Sequence, residues 1–183
     1  MKRICFDIGS NLFHDFRDGF ISEPSQARLY YAGKPCRFDA ATTFDSSSRE
    51  FKNFTDYNEL FAGLLKADEI ITFNGRIYDL IVLQKLVGDH SMKELLRKPH
   101  HDLCGWRDYE LKRSISIVLP DMAASFDAVY SERAAELGDS YNESLTPKLA
   151  NTYRDVKFTY ALSEQYLVSG NSEYTFLNDH AAL

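Results

Sequence analysis

Three aspartates in this chain, Asp7, Asp79 and Asp155, each have apolar side chains next to them or close by in the sequence. A carboxylate with such neighbours tends to lie near a protein core, where an isolated charge is costly unless it is paired or bound to a metal ion. Carboxylate oxygens are hard ligands, which suit magnesium or manganese far better than zinc. If the fold brings these three acids together, they could hold a divalent ion.

Each aspartate also has a purely structural explanation when it is considered alone. Asp7 could end a strand, and Asp79 could cap a helix. Asp155 could pair with a neighbouring cation such as Arg154 or Lys157. The residue types therefore leave a structural and a chemical role open at each position.

The elements that must position the three acids are predicted from hydrophobic patterning and from capping and turn residues. Strands are predicted over residues 3–8, 27–33, 36–44 and 69–73, with the second and third joined as a hairpin around residues 33–35. Helices are predicted over residues 56–66, 77–87 and 147–168, and the segment 91–137 is predicted to be mostly helical. This order indicates one α/β domain over residues 1–170, followed by a C-terminal tail over residues 171–183.

Composition narrows the classes of protein further. The chain has 183 residues, 44% of them hydrophobic, and a formal net charge of −6. An acidic chain is a poor candidate for holding phosphates through its overall field, but a site that uses metal ions needs carboxylates. Three cysteines without a close pair indicate reduced thiols in the cytoplasm. No apolar run approaches the roughly 20 residues of a membrane span, so no membrane is expected as a partner.

The run from Asp68 to Leu83 resembles the second sequence motif of the DEDD group of metal-dependent 3′-to-5′ exonucleases. That motif combines an apolar strand, an Asn-Gly pair, an aromatic residue followed by aspartate, and an apolar helix. Phe6-Asp7-Ile8 is similar to the first motif of the group, and residues 151–156 are similar to the third. The similarity spans about residues 3–167, and the second motif is the most specific of the three.

The resemblance implies a fold, a reaction and a set of roles. The fold would be the ribonuclease H-like mixed β-sheet flanked by helices, and the reaction would be hydrolysis of phosphodiester bonds at single-stranded DNA or RNA ends. Asp7 would bridge two Mg²⁺ or Mn²⁺ ions, Asp155 would hold the catalytic ion, and Asp79 would act largely through coordinated water. Asn74 would contact substrate or order its loop. A larger nucleic-acid-processing complex is a further expected partner.

Two positions depart from the motifs of the group. The first motif has a glutamate ligand where this chain has Gly9, which offers no side-chain oxygen. The third motif has a tyrosine or a histidine before its aspartate, where this chain has Asn151 and Ala150. Asn151 could contact substrate or orient a water molecule, but it cannot act as a general base. Side chains of the loop after the first strand, among them Ser10, Asn11 and Asp15, could supply a replacement ligand.

These departures leave several hypotheses. The chain could be an active exonuclease with an altered ligand set, an impaired nuclease-fold domain that binds nucleic acid or protein, or a Glu-to-Gly form of an active enzyme. The run Asp7-Ile8-Gly9-Ser10 is also similar to Holliday-junction resolvases, which share the expected fold, but that comparison does not explain the run from Asn74 to Asp79.

The middle of the chain contains weaker signals. Basic residues between positions 76 and 113 could follow a phosphate backbone, although an ordinary solvated face is the commoner outcome. His100-His101-Asp102 resembles a metal cluster, but adjacent side chains rarely converge on one ion. Trp106 and Tyr109 could stack on bases, although packing in or near the core is commoner.

Overall fold

The computed structural model describes residues 1–12, 24–103, 107–108, 113–114 and 146–168. Strands and helices are interspersed along this part of the chain. The strands are β1 (Arg3–Ser10), β2 (Phe38–Asp45), β3 (Glu50–Phe54), β4 (Glu69–Thr72), β5 (His100–Asp102), β6 (Arg107–Asp108) and β7 (Arg113–Ser114). The helices are α1 (Pro24–Tyr31), α2 (Tyr57–Leu64), α3 (Asp79–Val87), α4 (Asp89–Leu95) and α5 (Pro147–Val168).

Five strands form a mixed sheet in the order β3-β2-β1-β4-β5. β1 pairs antiparallel with β2 and parallel with β4, and β5 pairs parallel with β4. β6 and β7 form a separate antiparallel pair. The central position of β1 means that both of its edges are hydrogen-bonded, which fixes the first strand firmly within the fold. The predicted mixed sheet with flanking helices is confirmed.

Side chains of β1 alternate between two layers of helices, because successive residues of a strand point to opposite faces. Ile4, Phe6 and Ile8 are buried in a core cluster with residues of α2, α3 and α4. Cys5 packs on the other face in a cluster with Val156 of α5. The acid at position 7 therefore shares the α5 face of the sheet with Cys5 and Gly9.

α2 begins where the sequence predicted a capped helix. The side chain of Asp56 accepts a hydrogen bond from the backbone N–H of Asn58 at 2.8 Å, which satisfies one of the free donors at the helix start. Leu60 and Leu64, one turn apart, are fully buried against the sheet. The predicted helices over residues 56–66, 77–87 and 147–168 are all confirmed.

The predicted strand over residues 27–33 is wrong, and so is the hairpin that it was expected to form. Residues Pro24–Tyr31 form the helix α1, in which Ala27 and Tyr31 are buried four residues apart while Leu29 is 80% exposed. Pro24 at the first helical position favours this helix, because its fixed φ suits the first turn. The partners of β2 are instead β1 and β3, and the polar residues 46–49 form the turn before β3.

The predicted, mostly helical segment 91–137 is only partly helical where the structure describes it. α4 covers Asp89–Leu95, but the chain then returns to the sheet as β5, with Ile70 opposite His100. Pairing with the exposed edge of β4 satisfies backbone groups that a local helix pattern does not take into account. The rest of that segment beyond β7 lies outside the described residues, as do Trp106, Tyr109 and the predicted tail over residues 171–183.

None of the helices in the described ranges has the length and the apolar character that crossing a membrane requires. The longest of them, α5, has 22 residues, but it includes the charged side chains of Arg154, Asp155 and Lys157 in its middle. Its buried face instead packs on β1 and β2.

The buried leucines of α2 give a test of this core. Leu60→Ala should lower the free energy of unfolding by about 2–5 kcal/mol, because it removes a fully buried side chain and leaves a cavity. Leu29→Ala, at an exposed helical position, should change it by less than about 0.5 kcal/mol. Urea unfolding followed by circular dichroism measures both. Similar losses for the two variants would contradict this packing.

Candidate active site

Asp7 lies near the carboxyl end of β1, just beyond the residues of that strand that pair with β4. Its side chain points to the α5 face and is partly buried. Burial raises the pKa of this carboxyl well above its ordinary value, and the charges of Asp79 and Asp155 raise it further. Asp7 therefore lies within electrostatic reach of both other predicted acids.

Asp79 is the first residue of α3 and is only 1% exposed. Its Oδ1 accepts a hydrogen bond from the backbone N–H of Ile8 at 2.8 Å, which ties the start of α3 to β1. Burial raises the pKa of Asp79 to about 8, with further increases from the charges of Asp102 and Asp155, although the Ile8 hydrogen bond acts in the opposite direction. A residue predicted only to cap or to ligate is thus also a link between helix and sheet.

Asp155 lies on α5, with 25% of its side chain exposed. Burial raises its pKa, while Arg154, whose Nε lies 3.3 Å from Oδ1, lowers it. The ion pair that the sequence suggested as a structural explanation is therefore present. This ion pair does not exclude a place for Asp155 in the group of three acids, because its charge also raises the pKa of Asp7 and Asp79.

The fold thus brings three acids that are far apart in the chain into one electrostatic group. Within the ranges that the structure describes, however, no set of three or more His, Cys, Asp or Glu side chains has an arrangement that could hold one metal ion. Two features are consistent with this result. Oδ1 of Asp79 already accepts a hydrogen bond from Ile8, and Gly9 has no side chain that could supply a ligand.

Gly9 lies on the same face of β1 as Asp7, because the two are separated by one residue. A Cβ atom at position 9 would lie 3.6 Å from the carbonyl oxygen of Ala40 and 3.6 Å from Cγ2 of Thr152. These are ordinary contact distances, and the backbone at Gly9 is not in the left-handed region. No steric constraint on the backbone therefore requires glycine here.

The loop side chains that could have replaced the missing glutamate have other partners. Ser10 Oγ lies 2.8 Å from the hydroxyl of Tyr78 and accepts from the N–H of Leu12. The side chain of Asn11 donates to the carbonyl of Pro35. Asp15 lies outside the described residues. Ser10 and Asn11 thus stabilise the chain that follows β1.

Asn74 begins the turn that connects β4 to α3, and its φ of 64° places it in the left-handed region. The backbone N–H groups of Asn74 and Arg76 donate to the two carboxylate oxygens of Asp102, each at 2.7 Å. The backbone of Gly75 packs so closely against the Thr72 side chain that a Cβ added at position 75 would lie 2.3 Å from Oγ1 of Thr72. The loop is therefore rigidly held, and Asp102 is its main side-chain support.

Asp102 was missed as a site residue in the sequence, where it appeared only as part of the run His100-His101-Asp102. The sequence did contain a feature that could have indicated Asp102, because this acid ends the short segment His100–Asp102 after α4. The three side chains of this run make separate contacts: His100 Nε2 lies 2.7 Å from Oγ1 of Thr72, and His101 Nε2 lies 3.4 Å from Oε2 of Glu69. Burial lowers the pKa of His100 to about 3, which favours its neutral form.

Asn151, predicted to contact substrate, is exposed on α5 one turn before Asp155. Residues four apart on a helix share a face, so Asn151 and Asp155 are neighbours. The predicted basic strip is partly used for structure. Lys85 Nζ donates to the carbonyl oxygens of Tyr31 and Ala32, and Lys98 Nζ donates to that of Ala67.

No family model matches this chain, and no curated protein matches its sequence. Among solved structures, the chain is similar to the family B DNA polymerase from the hyperthermophilic archaeon Pyrobaculum calidifontis, with a TM-score of 0.50 and 16% sequence identity. The match covers 91% of this chain and 24% of the polymerase chain. This chain therefore spans about a quarter of the length of the polymerase.

At 16% identity the similarity concerns the fold. It extends over most of the chain and agrees with the mixed five-stranded sheet and its helices on both faces. The ribonuclease H-like α/β fold expected from the sequence is confirmed.

The buried carboxyl of Asp79 leads to a prediction about pH. Its pKa is about 8 in the folded chain and about 3.9 in the unfolded chain, so between these values the folded state binds more protons. The free energy of unfolding in EDTA should therefore fall as the pH rises from 5 to 8. Asp79→Asn, which keeps an oxygen acceptor for Ile8, should reduce that fall.

Urea unfolding at stepped pH measures this effect. Asp68→Asn, which changes an exposed acid, serves as the control and should retain the wild-type dependence. An Asp79→Asn variant with the same pH dependence as the wild type would contradict the assignment of the raised pKa to Asp79.

Proposed function

We propose that this chain is a metal-dependent 3′-to-5′ exonuclease of the DEDD type that hydrolyses phosphodiester bonds at single-stranded nucleic-acid ends. The observation that carries the proposal is the electrostatic grouping of Asp7, Asp79 and Asp155 at the carboxyl end of β1. These residues come from the three sequence segments that resemble the exonuclease motifs. Their grouping follows from tertiary structure, which the motif comparison did not use.

The donors at this site suit a hard divalent cation. Asp7 and Asp155 supply carboxylate oxygens, and the positive charge of Mg²⁺ or Mn²⁺ would relieve the repulsion that raises the pKa of Asp7. Asp79 would act through water, since one of its oxygens already accepts from Ile8. When bound, the metal would activate a water molecule and stabilise the leaving oxygen.

The remaining residues of the site would orient the substrate and water. The Asn74 turn is held by Asp102, so its side chain is presented from a fixed backbone. Asn151 would orient water or substrate from the turn of α5 before Asp155. The likeness of fold to a DNA polymerase supports nucleic acid as the class of substrate.

Removal of either metal-binding acid tests the proposed reaction. Asp7→Ala and Asp155→Ala should each reduce Mg²⁺- or Mn²⁺-dependent shortening of end-labelled single strands by about 100-fold or more, because each removes an ion ligand. Asp68→Ala, at an exposed acid, should retain wild-type activity. Denaturing gel electrophoresis of the products, with EDTA as a further control, measures the rates.

Shortening of strands from the 3′ end that persists in both alanine variants would contradict the proposed site. Thermal unfolding of each variant separates loss of chemistry from loss of fold. Both substitutions remove a destabilising buried charge, so folded protein is expected in both cases.

The space at Gly9 makes a gain of function testable. Gly9→Glu adds a carboxylate on the Asp7 face, where its Cβ has ordinary contacts. Because affinity for a hard cation depends on the number of charged ligands, Mn²⁺ binding should tighten by about tenfold or more. Titration calorimetry measures this change, and Gly9→Gln, which adds similar volume without charge, is the matched control.

An equal effect of Gly9→Glu and Gly9→Gln on Mn²⁺ affinity would show that position 9 does not face the ion.

A second function has a specific observation in its favour, because Gly9 and Asn151 both stand where the exonuclease motifs place reactive groups. The second candidate is a nuclease-fold domain that binds nucleic acid or protein without turnover. Strand binding with no shortening by the wild-type chain in either metal would favour it.

A further inference from the structure

The antiparallel pairing of β1 with β2 contains an irregularity at the edge of the site. Gly9 is opposite Ala40, but Ser10 is opposite Phe38, so Asp39 is an extra residue on β2. Such a bulge changes the direction of a side chain relative to the regular strand. Here the side chain concerned is an aspartate one residue from the partner of Gly9.

Asp39 holds two cations. Its Oδ1 accepts from Nε of Arg37 at 2.9 Å, and its Oδ2 accepts from Nζ of Lys148 in the first turn of α5. Burial alone would raise the pKa of Asp39, but the hydrogen bonds from Lys148 and Arg37 hold it below its ordinary value. Asp39 is therefore ionised at neutral pH, and two positive charges share one negative charge.

The two cations remain accessible while they are paired. The side chain of Arg37 is 72% exposed and that of Lys148 is 49% exposed, compared with 12% for Asp39. A half-buried carboxylate thus positions two exposed positive groups and leaves a local net charge of +1. This is a suitable arrangement for a second anion that approaches from solvent.

The pair lies next to the acids. A Cβ at Gly9 would be 3.9 Å from Cβ of Lys148, and Gly9 follows Asp7 by two strand residues, or about 6.6 Å. Lys148 precedes Asp155 by two helical turns, or about 10.5 Å, on nearly the same face of α5. Gly9, whose face of β1 packs against Lys148 and Thr152 of α5, therefore lies between the cations and Asp7.

We propose that Lys148 and Arg37, positioned by Asp39, bind a backbone phosphate of a single strand whose end lies at Asp7 and Asp155. This inference rests on the proposed exonuclease function, whose acids repel phosphates until a metal is bound. An anchor of opposite charge beside them holds the strand without contacting its bases. Binding is therefore expected to be insensitive to base sequence and sensitive to salt.

Binding of a labelled single-stranded 12-nucleotide DNA in EDTA, measured by fluorescence anisotropy at several salt concentrations, tests the anchor without cleavage. The double variant Lys148→Gln/Arg37→Gln should bind about tenfold more weakly at low salt. Its dependence of log affinity on log salt should be shallower by about 0.7, because one phosphate contact is lost. Arg37→Gln alone, at a largely exposed position, should show about half of the change in slope.

The matched control is Lys93→Gln/Arg97→Gln, here called the α4 variant, which removes the same charge from α4 and the turn after it, within the basic strip suggested by the sequence. Wild-type affinity in this control, with loss in the Lys148/Arg37 variant, supports the anchor. An equal or larger loss in the α4 variant overturns it, and so does absence of wild-type binding.

The two proposals fail in different ways. Salt-dependent binding that requires Lys148 and Arg37, without shortening in Mg²⁺ or Mn²⁺, would retain the anchor and reject the exonuclease reaction. Shortening that requires Asp7, with no effect of the Lys148/Arg37 variant on binding or on KM, would retain the reaction and reject the anchor.

Discussion

The close approach of Asp7, Asp79 and Asp155 is the constraint on which the rest of this structure depends. Burial raises the pKa of each carboxyl, and neighbouring carboxylates raise the pKa of Asp7 and Asp79 further. The fold opposes this repulsion with apolar burial on both sides of β1, and the Ile8 N–H fixes Asp79. A cluster of this kind lowers stability without a counter-charge, which the divalent cation of the proposed function would supply.

A hydrogen-bonded turn and a β-bulge position the elements around that cluster. Asp102 holds both ends of the Asn74-Gly75-Arg76 turn, so the start of α3 has little freedom relative to β4. On the other side, the bulge at Asp39 directs a carboxylate to α5 and ties the helix to β2. Two acids that are not themselves in the cluster thus fix the elements that carry it.

Local signals predicted the elements that local forces decide. Asp56 and the apolar spacing after it were enough to place α2, and the β4–turn–α3 unit was recognisable because its residues are contiguous. The strand predicted over residues 27–33 is wrong because alternation and helical spacing both accommodate two buried positions four residues apart, whereas Pro24 favours the start of a helix. β5 could not be predicted from its own residues, because its conformation is set by pairing with β4, about 30 residues earlier. The three acids could be named because each lies in a local sequence motif. Asp102 and Asp39 could not, because they act through contacts that only the tertiary structure creates.

The overall charge of −6 conceals how charge is distributed near the site. Screening at physiological ionic strength limits the reach of exposed charges to about 8 Å, so a phosphate responds to the groups beside it more than to the sum over the chain. Here Lys148, which with Arg37 and Asp39 forms a net positive group, lies beside Gly9, and Gly9 follows Asp7 by about 6.6 Å along β1. Gly9, which lies between Asp7 and Lys148, has no side chain, and Thr152 and Lys148 of α5 pack against its face of β1. An acidic chain can therefore place positive and negative groups side by side, as the proposed hydrolysis of a phosphodiester with a bound metal would require.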